Sequence, residues 1–152
     1  MIGVKGYIKR AICNYNNVYN NKPNVNYYYN EILFDEISKD VGDCILNACK
    51  SYFVSKNIEF GDTNKNKNIR EEMIDYVLEN SELGKFISKV HYYQRSWIYY
   101  TTCDNRSITD KQFAVRYFTD MVDAMKKLCD YLVDIVGDMR GEEHVEFRKL
   151  YK

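Results

Sequence analysis

The residues able to do chemistry in this chain are few and scattered. Two histidines, His91 and His144, and five cysteines, Cys13, Cys44, Cys49, Cys103 and Cys129, are the obvious nucleophile, base and soft-metal candidates. A nucleophile needs a base within reach, and no Ser or Cys stands near His in a glycine-bounded turn. Zinc sites draw their ligands from close pairs such as Cys-x-x-Cys, which do not occur here, so no metal is expected. Nor is there a Gly-Lys-Thr phosphate loop or a dinucleotide glycine cluster, and neither a cofactor nor a small-molecule substrate is expected. The paired carboxylates Glu71/Glu72 and Glu142/Glu143 are sequence neighbours, which on a helix point about 100° apart and read as solvated surface. His91 falls off the apolar stripe of its segment and reads as a partly buried structural histidine. This residue set predicts binding without catalysis.

Binding by stacking is the next possibility, because the chain holds 15 tyrosines, clustered at Tyr27, Tyr28 and Tyr29, at Tyr92 and Tyr93, and at Tyr99 and Tyr100. A base-stacking platform needs Lys and Arg interleaved with its rings, and these clusters lack them. The whole chain balances 22 Lys and Arg against 22 Asp and Glu, so no net field draws in a polyanion. Nucleic acid is therefore not an expected partner. Tyrosine combines a large apolar body with a polar tip and few rotatable bonds, which suits a protein interface.

The elements that must carry such a surface are helices. With 152 residues, 45% of them hydrophobic, the sequence fits a single domain over 1–152. One proline, Pro23, and few glycines favour long helices over strands and turns. No secretory succession opens the chain and no run of about 18 apolar residues occurs, so a soluble intracellular protein with reduced, buried cysteines is expected.

Val4, Ile8, Ala11, Ile12 and Tyr15 predict a first helix from about Ile2 to Tyr15, followed by an Asn-rich stretch. Tyr29, Ile32, Leu33 and Ile37 form a second stripe and Ile45, Cys49, Tyr52 and Phe53 a third, two helices expected to meet at a kink at Gly42. Asn57 to Lys67 reads as an exposed loop. A capping box of Asn68 with Glu71 opens a helix bearing Ile69, Met73, Tyr76 and Val77. Leu83, Phe86, Ile87, Val90, Tyr93, Trp97 and Ile98 predict the most apolar, central helix. Thr109 with Gln112 suggests another capping box, opening a long segment to Gly137 with a bend near Asp120 to Asp123. Glu142 to Tyr151 can add a short last helix, giving seven or eight in an all-α fold.

Two short segments carry a resemblance. Val41-Gly42-Asp43-Cys44-Ile45, together with Glu82-Leu83-Gly84-Lys85-Phe86 at the head of the most apolar helix, resembles the Bcl-2 family. The family's third homology motif sets an apolar residue before Gly-Asp and another apolar residue one position on, matched by Val41, Gly42, Asp43 and Ile45. Ser38 stands where a further apolar residue belongs. Of the first motif's Asn-Trp-Gly-Arg, Gly84 and Lys85 keep the small residue and the charge, whereas Glu82 and Leu83 replace Asn and Trp. Lysine also lacks the bidentate pairing of arginine. The chain is most similar to the small, motif-divergent poxviral members, in the opening pattern over 4–49 and in the Phe- and Leu-rich rhythm from Phe113 to Asp138.

The resemblance implies a Bcl-2-like bundle of seven or eight helices around a central hydrophobic helix. It implies an inhibitor of host apoptosis that sequesters the death-promoting BH3 helix of pro-apoptotic Bcl-2 proteins in a groove formed by Tyr52, Phe53, Met73, Val77, Gly84, Lys85, Phe86 and Val90. There Lys85 would meet the ligand's aspartate and Gly84 would allow close approach. The alternative it implies is a scaffold that blocks host innate signalling such as NF-κB activation through an outer face or dimer surface. Either action belongs in the host cytoplasm, or at the mitochondrial outer membrane if a C-terminal anchor is part of the native chain.

Overall fold

A computed structural model describes residues 2–21, 31–102 and 107–136, and every regular element among them is helical. The helices are α1 (Val4–Asn20), α2 (Glu31–Ser55), α3 (Lys67–Asn80), α4 (Leu83–Thr102) and α5 (Ile108–Tyr131), the last continuing into a π-helical turn, Leu132–Val136. The all-α expectation is met. The helix count is lower among the described residues because two expected divisions are absent, and the helix expected over Glu142 to Tyr151 lies outside them.

The first missing division is at Gly42, through which α2 runs unbroken. A glycine inside a helix costs about 1 kcal/mol relative to alanine. On either side of it Val41, Cys44, Ile45 and Ala48 are all fully or almost fully buried in one core, and that packing outweighs the local preference. The second is near Asp120 to Asp123, where α5 is continuous: Met121, Val122, Ala124 and Met125 are buried and no Gly or Pro interrupts. The irregularity falls instead at Leu132–Val136.

Core burial also shifts the centre of the fold. Ten residues of α2 are buried against five of α4, so α2 supplies more of the core than the helix expected to be central. Helix α1 packs along α2 and α4 along α5, while α1 also reaches α5. Between α1 and α2 a polar chain fixes register: Asn47 Nδ2 donates to Asn14 Oδ1 (2.9 Å), and Asn14 Nδ2 donates to Asp40 Oδ1 (3.1 Å). Together with the buried Val18, this pairing carries α1 through the Asn-rich residues to Asn20, beyond the expected end at Tyr15.

Helix ends follow local hydrogen bonding. Asn57, with φ of 56°, closes α2: its own N–H donates to Val54 O and that of Ile58 to Phe53 O. This pair of hydrogen bonds satisfies two of the last carbonyls and turns Ile58 and Phe60 inward against the core, so the expected loop is only partly exposed and Thr63 within it is buried. The cap of α3 is Asn66, whose side chain accepts from Asn68 N, two residues before the expected cap. At α5 the capping box forms between Ser107 and Asp110 in place of Thr109 and Gln112.

Of the cysteines, Cys44, Cys49 and Cys129 are buried as expected, and Cys13 is exposed. Cys103 and His144 lie outside the described residues. Burial pushes the Cys49 thiol up to about 12, and a hydrogen bond with Cys44, then burial, raises Cys129. His91 is half-buried on α4, and burial followed by the Arg95 charge lowers its pKa.

Leu128 is fully buried, and Leu128→Ala is expected to lower the free energy of unfolding by about 2–5 kcal/mol in urea denaturation, whereas Ile32→Ala, at a position 74% exposed, changes it by under about 0.5 kcal/mol. His91 binds its proton less readily folded than unfolded, so stability falls as pH drops below about 6.5, the ordinary histidine value, until His91 protonates in the folded chain. Replacing His91 with Gln should flatten that part of a stability–pH curve.

Candidate functional site at the head of helix α4

Only two residues, Ser81 and Glu82, separate α3 from α4. Ser81 ends α3 in an extended conformation, and its side-chain oxygen accepts from Leu83 N (3.1 Å) while its carbonyl accepts from Gly84 N (3.0 Å). This tight connection folds the last turn of α3 back onto the first turn of α4. Gly84 is buried at the crossing, and a Cβ there would lie 2.7 Å from Leu78 Cα and 2.9 Å from the Val77 carbonyl oxygen. Glycine is required because backbone approaches backbone, and the backbone it admits is the chain's own.

The other residues expected at a groove mostly converge inward. Tyr52, Phe53, Met73, Val77 and Val90 are buried in the common core, and Phe86 packs against it from a half-buried position. Phe53 stacks at 5.3 Å on Tyr76 of α3. Five of the eight residues are thus core residues, with Gly84 buried at the helix crossing and Phe86 flanking the core. Lys85 stands apart: its side chain is 75% exposed and is held by Glu82 at 2.8 Å, a hydrogen bond that also raises its pKa.

A cleft beside this junction is lined by Tyr52, Lys56, Asn80, Ser81, Glu82 and Tyr131. Tyr131, which sequence reasoning missed, packs on Phe86 with ring centres 4.7 Å apart, and burial pushes its phenol up. Its place three residues after the core Leu128 on α5 is the signal that could have found it. The Gly-Asp segment lies elsewhere. Val41 and Ile45 are core residues, Gly42 is exposed, and Asp43 lines a polar cleft between α1 and α2 with Arg10, Asn47 and Lys50. There burial, then Arg10, lowers the Lys50 pKa.

The chain matches no known family, no curated protein and no solved structure. The site therefore rests on its own geometry. Among the described residues no group of His, Cys, Asp and Glu could hold a metal ion, and no helix is long and apolar enough to cross a membrane. Glu71 and Glu72 are exposed on α3, whereas Glu142 and Glu143 lie outside the described residues.

Two of the helical glycines, Gly42 and Gly84, give opposite expectations. Nothing lies within 4 Å of a Cβ added at Gly42, so Gly42→Ala should raise stability by about 0.5–1 kcal/mol. Gly84→Ala must push the α3 backbone away and should lower stability, by more than about 1 kcal/mol. Thermal melts of the two variants, differing in sign, test the crossing.

Proposed function

We propose that this chain is a non-catalytic, Bcl-2-like protein-binding module of the poxviral kind that restrains host innate signalling such as NF-κB activation through its outer surface. One observation carries the preference for an outer face: the surface of Gly84, which a ligand helix would have to approach, is already covered by Val77 and Leu78 of the chain's own α3. A ligand entering there must first displace that helix and the burial of Met73 and Val77.

A second reading, sequestration of the BH3 helix of pro-apoptotic host proteins, is favoured by the light anchoring of α3. Only Met73 and Val77 of that helix are buried, while Tyr76 and Leu78 are 40% and 39% exposed. An amphipathic helix with several apolar anchors could take the place of so shallow a lid, each anchor contributing roughly 1.5–3 kcal/mol. Lys85 stands beside that entry, available to a ligand carboxylate once Glu82 is exchanged.

Calorimetric titration with a panel of BH3 peptides, beside an NF-κB reporter assay in host cells, separates the readings. The outer-face function predicts reporter suppression with no heat at micromolar peptide. Peptide heat that Lys85→Glu abolishes makes sequestration the function, and absence of both activities overturns both readings.

A further inference from the structure

Charge in this neutral chain is unevenly placed. Between Leu83 and Thr102 there is no acidic residue, whereas Lys85, Lys89 and Arg95 are all exposed on α4. Lys85 is tied to Glu82 just ahead of the helix, but Lys89 and Arg95 form no ion pair among the described residues. Between Lys89 and Arg95 lies Tyr92, 55% exposed, and one turn beyond Arg95 lies Tyr99, 64% exposed. Positions 85, 92 and 99 repeat every seven residues and so fall on one side of the helix, with Lys89 and Arg95 flanking. Interleaving of cations and rings, not apparent in the tyrosine clusters taken alone, emerges along this exposed side.

The two rings are held from behind. Tyr92 meets Tyr93 edge-on at 5.2 Å, and Tyr99 meets Tyr100 edge-on at 5.0 Å and 87°. Tyr100 in turn stacks on Tyr117 of α5 at 5.5 Å, and Tyr93 lies 6.4 Å from the same ring. Exposed aromatics braced in this way lose little rotamer freedom on binding, which is the property of interface anchors.

We infer that the exposed side of α4, the stripe Lys85–Lys89–Tyr92–Arg95–Tyr99, docks an acidic amphipathic helix of a partner protein. The inference rests on the outer-face reading and names its surface and partner chemistry. The stripe spans about 21 Å, four helical turns, a length matched by one short helix laid alongside it. Apolar residues of that helix at i and i+7 cover Tyr92 and Tyr99, and its flanking carboxylates meet Lys89 and Arg95. A nucleic acid fits less well: three cations neutralise few phosphates, and the chain as a whole has no net positive charge to hold the rest.

The test is fluorescence anisotropy of the full chain with a labelled synthetic helix carrying Leu at i and i+7 and Glu at the flanking positions. The same helix with Lys in place of Glu, and a labelled oligothymidylate, serve as competing probes. The acidic helix should bind and the Lys helix should not. Lys89→Glu with Arg95→Glu should weaken binding about tenfold or more, and Tyr92→Ala with Tyr99→Ala roughly tenfold, with melting temperatures near the parent's because all four positions are solvent-facing. Equal binding of the Lys helix, indifference to charge reversal, or preference for oligothymidylate overturns the inference. Peptide binding that persists when NF-κB suppression is absent overturns the outer-face function and leaves the stripe. Suppression without peptide binding overturns the stripe alone.

Discussion

Helix α2 buries more residues than any other described helix, and its broad apolar face must be enclosed. Its buried positions from Ile37 to Phe53 include near-consecutive residues such as Cys44, Ile45 and Leu46, too many for one stripe to account for. The other helices are arranged by that demand. Helix α1 covers one flank and fixes its register through the Asn47–Asn14–Asp40 chain, and α5 closes another with Met121, Met125 and Leu128. Helices α3 and α4 cover the C-terminal turns, where Tyr52 and Phe53 would otherwise be bare. Even the termination of α2 at Asn57 contributes, because it directs Ile58 and Phe60 back to the same core.

Enclosure of α2 explains why the junction at the head of α4 is filled. Phe53, Met73, Val77 and Val90 are buried in one core, and Gly84 allows two backbones to meet where a side chain would hold them apart. The chemistry left to solvent is polar and cationic: a cleft edged by Glu82 and Tyr131, and an outward face of α4 with basic residues and no acidic ones. A bundle sealed in this way presents its partners with side chains already in place, so recognition depends on complementary charge and braced rings more than on rearrangement.

Periodicity made the helical class and most of the core readable: Ile8, Ile12, Met73, Val77, Ile87 and Leu128 are buried where their spacing put them. What spacing could not reveal was decided by long-range packing or by competition between neighbouring polar residues. Gly42 carries a local penalty that core contacts on both sides override, so two expected helices are one. Asn66 and Ser107 cap their helices in preference to Asn68 and Thr109, two residues on, because side-chain capping turns on backbone dihedrals that sequence spacing does not encode. The residues expected at a groove are core or core-flanking apart from Lys85, and spacing alone does not say whether such residues line a trough or fill the interior; that depends on where α3 lies, which is set by the two-residue turn at Ser81 and Glu82. The α4 stripe escaped notice because clusters such as Tyr92-Tyr93 place one ring outward and one inward, and the outward set appears only on the folded helix.

Extensive pairing in this bundle is between neighbours in the chain, α1 with α2 and α4 with α5. Contacts so close in sequence require little loop-closure entropy before they are rewarded, which puts the topology on the fast side of the relation between contact order and folding rate. The exceptions are α1 against α5, and α2 against α5 and its π-helical end, which bring distant parts of the chain together and complete the wall around α2.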